Sequence, residues 1–261
     1  MVNHMKKTTI AAACLLLFLC PAVAAEPDTP YSWYFKPASN GERPQVIPEA
    51  ADFLEKHAVI CTDTSGEKVV YLTFDAGYAN ENVVKILDVL KQKDVPAAFF
   101  VLPQIIKQNP DLLLRMKNEG HVIGNHTATH RDMSRVTDFD TFRKELADCE
   151  DALKTHTGLD MAHYYRPPEG RFSEKNLTFA EKCGYTTVFW DLAYADWDEQ
   201  KQKAPSDALS LILSRTHPGT VALLHPTSST NAAILGEYID ILRADGYTFR
   251  SLRDYGKKGS T

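Results

Sequence analysis

Five short stretches of the 261-residue chain end in side chains able to hold a metal, move a proton or orient a group that does. Val-Val-Tyr-Leu-Thr-Phe runs into Asp75, Val-Ile-Gly-Asn into His126, Tyr-Tyr into Arg166, Val-Phe-Trp-Asp-Leu-Ala-Tyr-Ala into Asp196 and Trp197, and Val-Ala-Leu-Leu into His225. His126-Thr-Ala-Thr-His130 is the sharpest of them. Two imidazoles four residues apart share a face if the backbone is helical there, and can then grip one divalent metal. No Glu follows His126, so the metalloprotease pattern is absent. A carboxylate closing an apolar strand, as Asp75 does, costs desolvation unless it is paired or works as a base; otherwise it caps the next segment. Arg166 is a candidate partner that would hold Asp75 charged and oriented, or else a plain structural ion pair. His225 should face the same rim, where Asp196 could fix its ring by hydrogen bonding; the alternative is a neutral core histidine. Trp197 is either core or a platform for the face of a sugar.

These side chains meet only if the elements before them converge. Apolar, β-rich runs at 69–74, 97–101, 122–124, 164–166, 186–190, 220–224 and 247–250 alternate with helical apolar spacing at 82–93, 110–119, 139–157, 174–183, 205–216 and 231–245. Alternation of this kind predicts a parallel sheet with helices outside it. A doubly wound sheet and a closed barrel share the pattern, and in both the C-terminal edge of the strands is where active sites form. Five strands deliver Asp, His, Arg, Asp and His to that edge. Residues 26–50, with an aromatic cluster at Trp33, Tyr34 and Phe35, read as an irregular arm, and 52–57 as a short helix.

The first residues are of another kind. Lys6 and Lys7 precede an uncharged apolar run from Thr8 to Leu19, and Ala22-Val23-Ala24 has the small-x-small form of a cleavage signal. Residues 1–24 therefore read as a secretory signal peptide, with an apolar run too short for a spanning helix of about 20 residues. The product would be exported to the cell wall or beyond, with no stable membrane association after cleavage, and is expected to be a monomer. A hydrophobic share of 44% with 24% charged residues excludes extensive disorder. The net charge of −5 becomes −7 once Lys6 and Lys7 are removed, a balance that disfavours nucleic-acid binding. Cys61, Cys149 and Cys183 would remain, allowing at most one disulfide. None sits in a C-x-x-C pair, and Cys149 and Cys183 read as buried small hydrophobes.

Thr73-Phe74-Asp75-Ala76-Gly77, His126-Thr-Ala-Thr-His130, Arg166-Pro167-Pro168-Glu169-Gly170, Asp196-Trp197 and Leu223-Leu224-His225 occur in the order of the five NodB motifs. Over residues 69–252 the chain resembles the polysaccharide deacetylases of carbohydrate esterase family 4. The resemblance implies an α/β fold, a distorted (β/α)7 barrel, with one NodB-type domain over 69–255 and an N-terminal arm over 25–68. Tyr31-Ser32-Trp33-Tyr34-Phe35-Lys36, Phe74-Asp75-Ala76-Gly77-Tyr78, Arg171-Phe172-Ser173-Glu174 and the stretch from His217-Pro218-Gly219 to Tyr247-Thr248-Phe249 are similar to a subgroup, the PdaA-type delta-lactam-biosynthetic de-N-acetylases. That likeness implies hydrolytic de-N-acetylation of peptide-free N-acetylmuramic acid in the peptidoglycan glycan strand. The freed amine then closes to muramic δ-lactam in spore cortex, which would place the enzyme in the forespore cortex space during sporulation.

Carried onto this chain, the pattern implies Asp75 as general base, His225 as general acid, Arg166 orienting Asp75 and Asp196 tuning His225. It implies His126 and His130 as ligands of a divalent metal, Zn2+ before Co2+, Mn2+ or Mg2+. Substrate contacts fall at Gly77, Tyr78, Pro167, Glu169 and Trp197, with backbone N–H groups near Gly77 and Tyr78 completing an oxyanion hole. Two positions depart from the family. Ala76 replaces a second aspartate that is usually a metal ligand, which leaves two protein ligands and implies weaker metal affinity. Glu169 stands where an aromatic or basic residue is frequent, and changes the charge of the subsite. Two other readings stay open: an N-acetylglucosamine deacetylase acting on peptidoglycan or a chitin-like glycan, and a non-catalytic glycan-binding relative.

Overall fold

The computed structural model describes residues 28–257; the segment read as a signal peptide, 1–24, lies outside them. Eight parallel strands form one sheet: β1 (Val59–Ile60), β2 (Val69–Ala76), β3 (Ala97–Val101), β4 (Val122–Asn125), β5 (Tyr164–Tyr165), β6 (Thr186–Val188), β7 (Thr220–Leu224) and β8 (Thr248–Phe249). Their order is β7-β2-β3-β4-β5-β6-β1, with β8 paired to the start of β2. All seven expected strands are present. Val59–Ile60, inside the segment read as arm, adds the eighth by pairing with Thr187 and Val188.

The strands are apolar on both faces because both faces are covered. Val70, Leu72, Phe74, Phe99, Val101, Ala222 and Leu224 pack in one cluster with Val83, Ile86, Leu87 and Leu90, the buried stripe of the helix Glu81–Gln92. The alternate residues Val69, Tyr71, Ala98, Phe100, Val122, Val188 and Val221 form a second cluster inside the curl of the sheet. The period of two then fixes the site. Asp75 follows Val69 and Tyr71 on the inner face, His126 follows Val122 and Gly124, and His225 follows Val221 and Leu223. Gly124 is needed there because a Cβ would stand 2.8 Å from the Phe100 ring.

The sheet curls until its ends meet. Past β6 the chain runs on to Leu192, which forms a parallel bridge with Ala222. The Asp63 amide donates to the Gly219 carbonyl at 2.8 Å, and the Val221 amide donates to Asp191 Oδ1 at 2.8 Å. The result is the expected distorted barrel, closed by a thin seam rather than a full ladder.

The helices expected at 82–93, 110–119, 139–157, 174–183, 205–216 and 231–245 are found at Glu81–Gln92, Pro110–Asn118, Phe139–Thr157, Glu174–Lys182, Pro205–Arg215 and Ser229–Ala244. Pro103–Gln108 is an additional helix, too short and too closely bracketed by prolines to show a period. The arm is pinned to the barrel. Tyr31–Ser32 pairs antiparallel with Arg171–Phe172, the Trp33 ring stacks on Phe189 at 4.1 Å, and Trp33 Nε1 donates to the Trp190 carbonyl at 2.8 Å. Cys61, Cys149 and Cys183 are all free thiols; Cys149 is fully buried and the other two are half-buried. Among the described residues no helix is long and apolar enough to cross a membrane.

Candidate active site

A cavity of about 750 Å³ opens at the C-terminal edge of the strands, lined by Asp75, Gly77, Tyr78, His126, His130, Glu169, Trp197 and His225. Eight residues singled out from the sequence thus share one wall. Leu102, Trp190, Ala193, Tyr194, Leu223 and Thr227 complete the lining; their types read equally well as core. Arg166 and Asp196, at 0% and 1% exposure, stand behind the wall as supports. Pro167 does not line the cavity. It is buried, and its carbonyl accepts the Gly170 amide at 3.0 Å, closing the turn that lifts Glu169 to the rim.

Arg166 is held on every side. Its Nη1 donates to Asp75 Oδ1 at 2.8 Å, Nη2 to Thr73 Oγ1 at 2.8 Å, and Nε to the Val188 carbonyl at 3.0 Å, with the guanidinium over the Phe100 ring. Burial by itself would push the Asp75 carboxyl up. The Arg166 guanidinium, with His126 and His225, pulls it below the usual carboxylate range instead. Asp75 is therefore an ionised carboxylate with one oxygen anchored and the other facing the cavity.

The His126–His130 segment is not helical, which corrects the geometry imagined for it. Thr127 and His130 adopt left-handed φ of 72° and 54°, so a tight turn folds one imidazole back beside the other, with ring centroids 5.0 Å apart. Side chains hold the turn: Asn125 Oδ1 accepts from the Thr127 amide, Thr127 Oγ1 from the His130 amide, and Glu145 Oε2 from the Ala128 and Thr129 amides. Glu145 is buried on the helix Phe139–Thr157, and helical spacing alone marks its position only as core.

His126 Nδ1 donates to the Arg166 carbonyl at 2.8 Å, leaving Nε2 as a lone-pair donor 3.6 Å from Asp75 Oδ2. Burial pushes this imidazole down to about 4, so it is neutral at physiological pH. A neutral ring with its tautomer fixed by a backbone carbonyl is the state a metal ligand needs. The set ends there. Ala76 offers a buried methyl, and among the described residues no group of three His, Cys, Asp or Glu is disposed to hold a metal. His126 and His130 are the residues that would hold a divalent ion here, as two imidazole donors side by side.

Across the cavity, His225 Nδ1 meets Asp196 Oδ1 at 2.7 Å, and the His225 amide donates to Asp196 Oδ2 at 2.8 Å. Burial would lower the imidazole. The Asp196 hydrogen bond and charge, with Asp75, more than offset this, and its pKa is raised. With Nδ1 committed to Asp196, Nε2 is the atom left to exchange a proton. Trp197 is 61% exposed, edge-on to His225 with centroids 6.4 Å apart, and Tyr78 is exposed with its hydroxyl donating to Glu199.

An ionised carboxylate anchored by an arginine, facing an imidazole of raised pKa over one cavity on the strand edge of a parallel barrel, is an arrangement able to take up and give back a proton. The polysaccharide deacetylase family model matches residues 62–188. The chain belongs to this family, the NodB-type deacetylases of carbohydrate esterase family 4. It is 38% identical to the peptidoglycan-N-acetylmuramic acid deacetylase PdaA of Bacillus subtilis over 93% of this chain and 92% of that one. The solved PdaA structure superposes with a TM-score of 0.83, covering 88% and 97% of the two chains. A family 4 carbohydrate esterase from Bacillus anthracis gives a TM-score of 0.72 at 41% identity, covering 89% and 99%. A peptidoglycan-N-acetylglucosamine deacetylase of Bacillus cereus is 34% identical over 67% of this chain and 62% of its own.

Proposed function

We propose that this protein removes the acetyl group from N-acetylmuramic acid in peptide-free peptidoglycan glycan, leaving the amine that closes to muramic δ-lactam. The observation that carries the chemistry is the pairing of Arg166-anchored Asp75 with Asp196-anchored His225 across one cavity. The likeness to PdaA over nearly the whole chain, arm included, supports the muramic substrate and with it export and a role in spore cortex.

Asp75 takes a proton from water as the oxygen attacks the acetamide carbonyl. His225 Nε2 then protonates the sugar nitrogen as the C–N bond breaks, releasing acetate and an amine. Arg166 keeps Asp75 ionised and aimed, while Leu102, Trp190, Tyr194 and Leu223 exclude bulk water. A divalent cation on His126 and His130, zinc foremost, would polarise the carbonyl and lower the pKa of the attacking water. Trp197 and Tyr78 offer exposed rings for the flanking sugars.

Glu169 favours a second reading. Its exposed carboxylate stands on the cavity mouth, with Arg171 Nε 3.9 Å away, and would repel the lactyl carboxylate of muramic acid while tolerating a neutral glucosamine. One experiment separates the two. Peptide-free glycan is incubated with the enzyme and its sugars are resolved by mass spectrometry. Acetyl loss from muramic acid is expected; loss confined to glucosamine would replace the first reading by the second, and no loss would reject both.

A further inference from the structure

Asp196 sits on a connection without regular structure between Leu192 and the helix Ser229–Ala244's partner, Pro205–Arg215. A carboxylate on such a segment is free to turn about its own side-chain bonds unless something outside fixes it. At the start of the helix Ser229–Ala244, Ser228 holds the Asp196 backbone through Gln202 of the loop, and Asn231 holds the Asp196 carboxylate itself. Gln202 Oε1 accepts the Ser228 hydroxyl, and its Nε2 donates to the Asp196 carbonyl at 2.8 Å, tying the loop to the helix. Asn231 Nδ2 donates to Asp196 Oδ2 at 2.6 Å and to the His225 carbonyl at 3.0 Å, and Asn231 Oδ1 accepts the Tyr194 hydroxyl at 2.5 Å.

The orientation of that amide follows from chemistry. An ionised carboxylate only accepts, so the NH2 group of Asn231 must face Asp196, which leaves its oxygen for Tyr194. Asn231 and Tyr194 are 1% and 8% exposed, so water cannot replace either partner cheaply. Burial raises the Tyr194 hydroxyl well above its ordinary value, and it remains a donor. Asp196 Oδ2 is thus locked by two N–H groups, and Oδ1 is left pointing at His225 Nδ1.

We propose that Asn231, fixed by Tyr194, is a positioning residue for the general acid. It acts through Asp196 to hold the His225 ring with Nε2 toward the scissile amide. The proposal rests on the deacetylase reading for its kinetic arm only. The test combines kinetics with a substrate-free signal. In Asn231→Leu, kcat on peptide-free glycan should fall about 10- to 100-fold with KM within twofold of wild type. In an Asp196→Ala background the same substitution should cost nothing further, because the group it acts through is gone. Tyr194→Phe, which removes one hydroxyl and keeps the packing, should show a smaller loss that also vanishes in that background. The downfield proton resonance of His225 Nδ1–H should weaken in both single variants without substrate. A full-strength resonance in a folded Asn231→Leu protein, a loss carried by KM, or an undiminished loss on top of Asp196→Ala would overturn the proposal. Wild-type protein that releases no acetate would instead reject the deacetylase reading, and the resonance would still decide the role of Asn231.

Discussion

Asp75 divides two tasks between its two oxygens. Oδ1 neutralises a guanidinium that is fully buried, and Oδ2 faces the cavity. Asp75→Asn should therefore do two things. Acetate release should drop about 10²- to 10⁴-fold, the usual worth of a proton-transfer group. Stability should also fall, by up to about 3 kcal/mol, because Arg166 loses its counter-charge and keeps only neutral acceptors. Urea unfolding followed by circular dichroism, beside an acetate assay, measures both, and turnover within a few-fold of wild type would remove Asp75 from the mechanism. The pH profile tests His225 independently. Asp196 holds the imidazole pKa above its ordinary value against the opposing effect of burial. Asp196→Asn removes the charge and leaves the burial, so His225 should lose its proton at lower pH. The alkaline limb of kcat/KM should shift toward acid, with an unmoved limb counting against His225 as the acid. The acid limb, set by Asp75, should lie below the usual carboxylate range in both proteins.

Strand alternation places the site, and the seam keeps it in place. β6 and β7 carry Asp196 and His225 on their continuations, yet these are joined by the Leu192–Ala222 bridge, the Asp191 amide on the Val221 carbonyl and the Asp191 side chain rather than by a full ladder. Below it, Gly219 allows the Asp63 backbone to come close. A Cβ on Gly219 would stand 1.9 Å from the Asp63 carbonyl oxygen, and its φ of +92° is one that L side chains rarely adopt. Backbone on both sides cannot step aside. Gly219→Ala should cost more than about 4 kcal/mol, the exceptional range for a point substitution, read as a collapse of the urea midpoint. Near-normal stability would show that the seam yields, and that barrel closure does not depend on this approach.

The whole molecule carries an excess of acid, −5 over the full sequence, and the substrate proposed for it is an anionic glycan. Long-range attraction cannot then drive encounter, and binding falls to local contacts in the cavity and its aromatic rim. Raising ionic strength from low to physiological should screen the repulsion and leave kcat/KM unchanged or modestly higher. A steep fall with salt would reveal an attractive basic surface that the charge balance does not suggest.

Much of this was legible in the chain before folding. The faces of Asp75, His126 and His225 follow from counting in twos along apolar strands, because alternation is a property of the local backbone. The pairings of Asp75 with Arg166 and Asp196 with His225 followed from charge and strand position, and the five motifs fixed the family. What tertiary structure decided is of another kind. It made the His126–His130 segment a left-handed turn held by Glu145, moved Pro167 behind the wall, recruited Val59–Ile60 into the sheet, and set Asn231 against Asp196 from 35 residues away. Those contacts depend on how loops close over a curled sheet. No local period encodes that closure, since the same Asn at the start of a helix would serve as well as a solvent-facing cap.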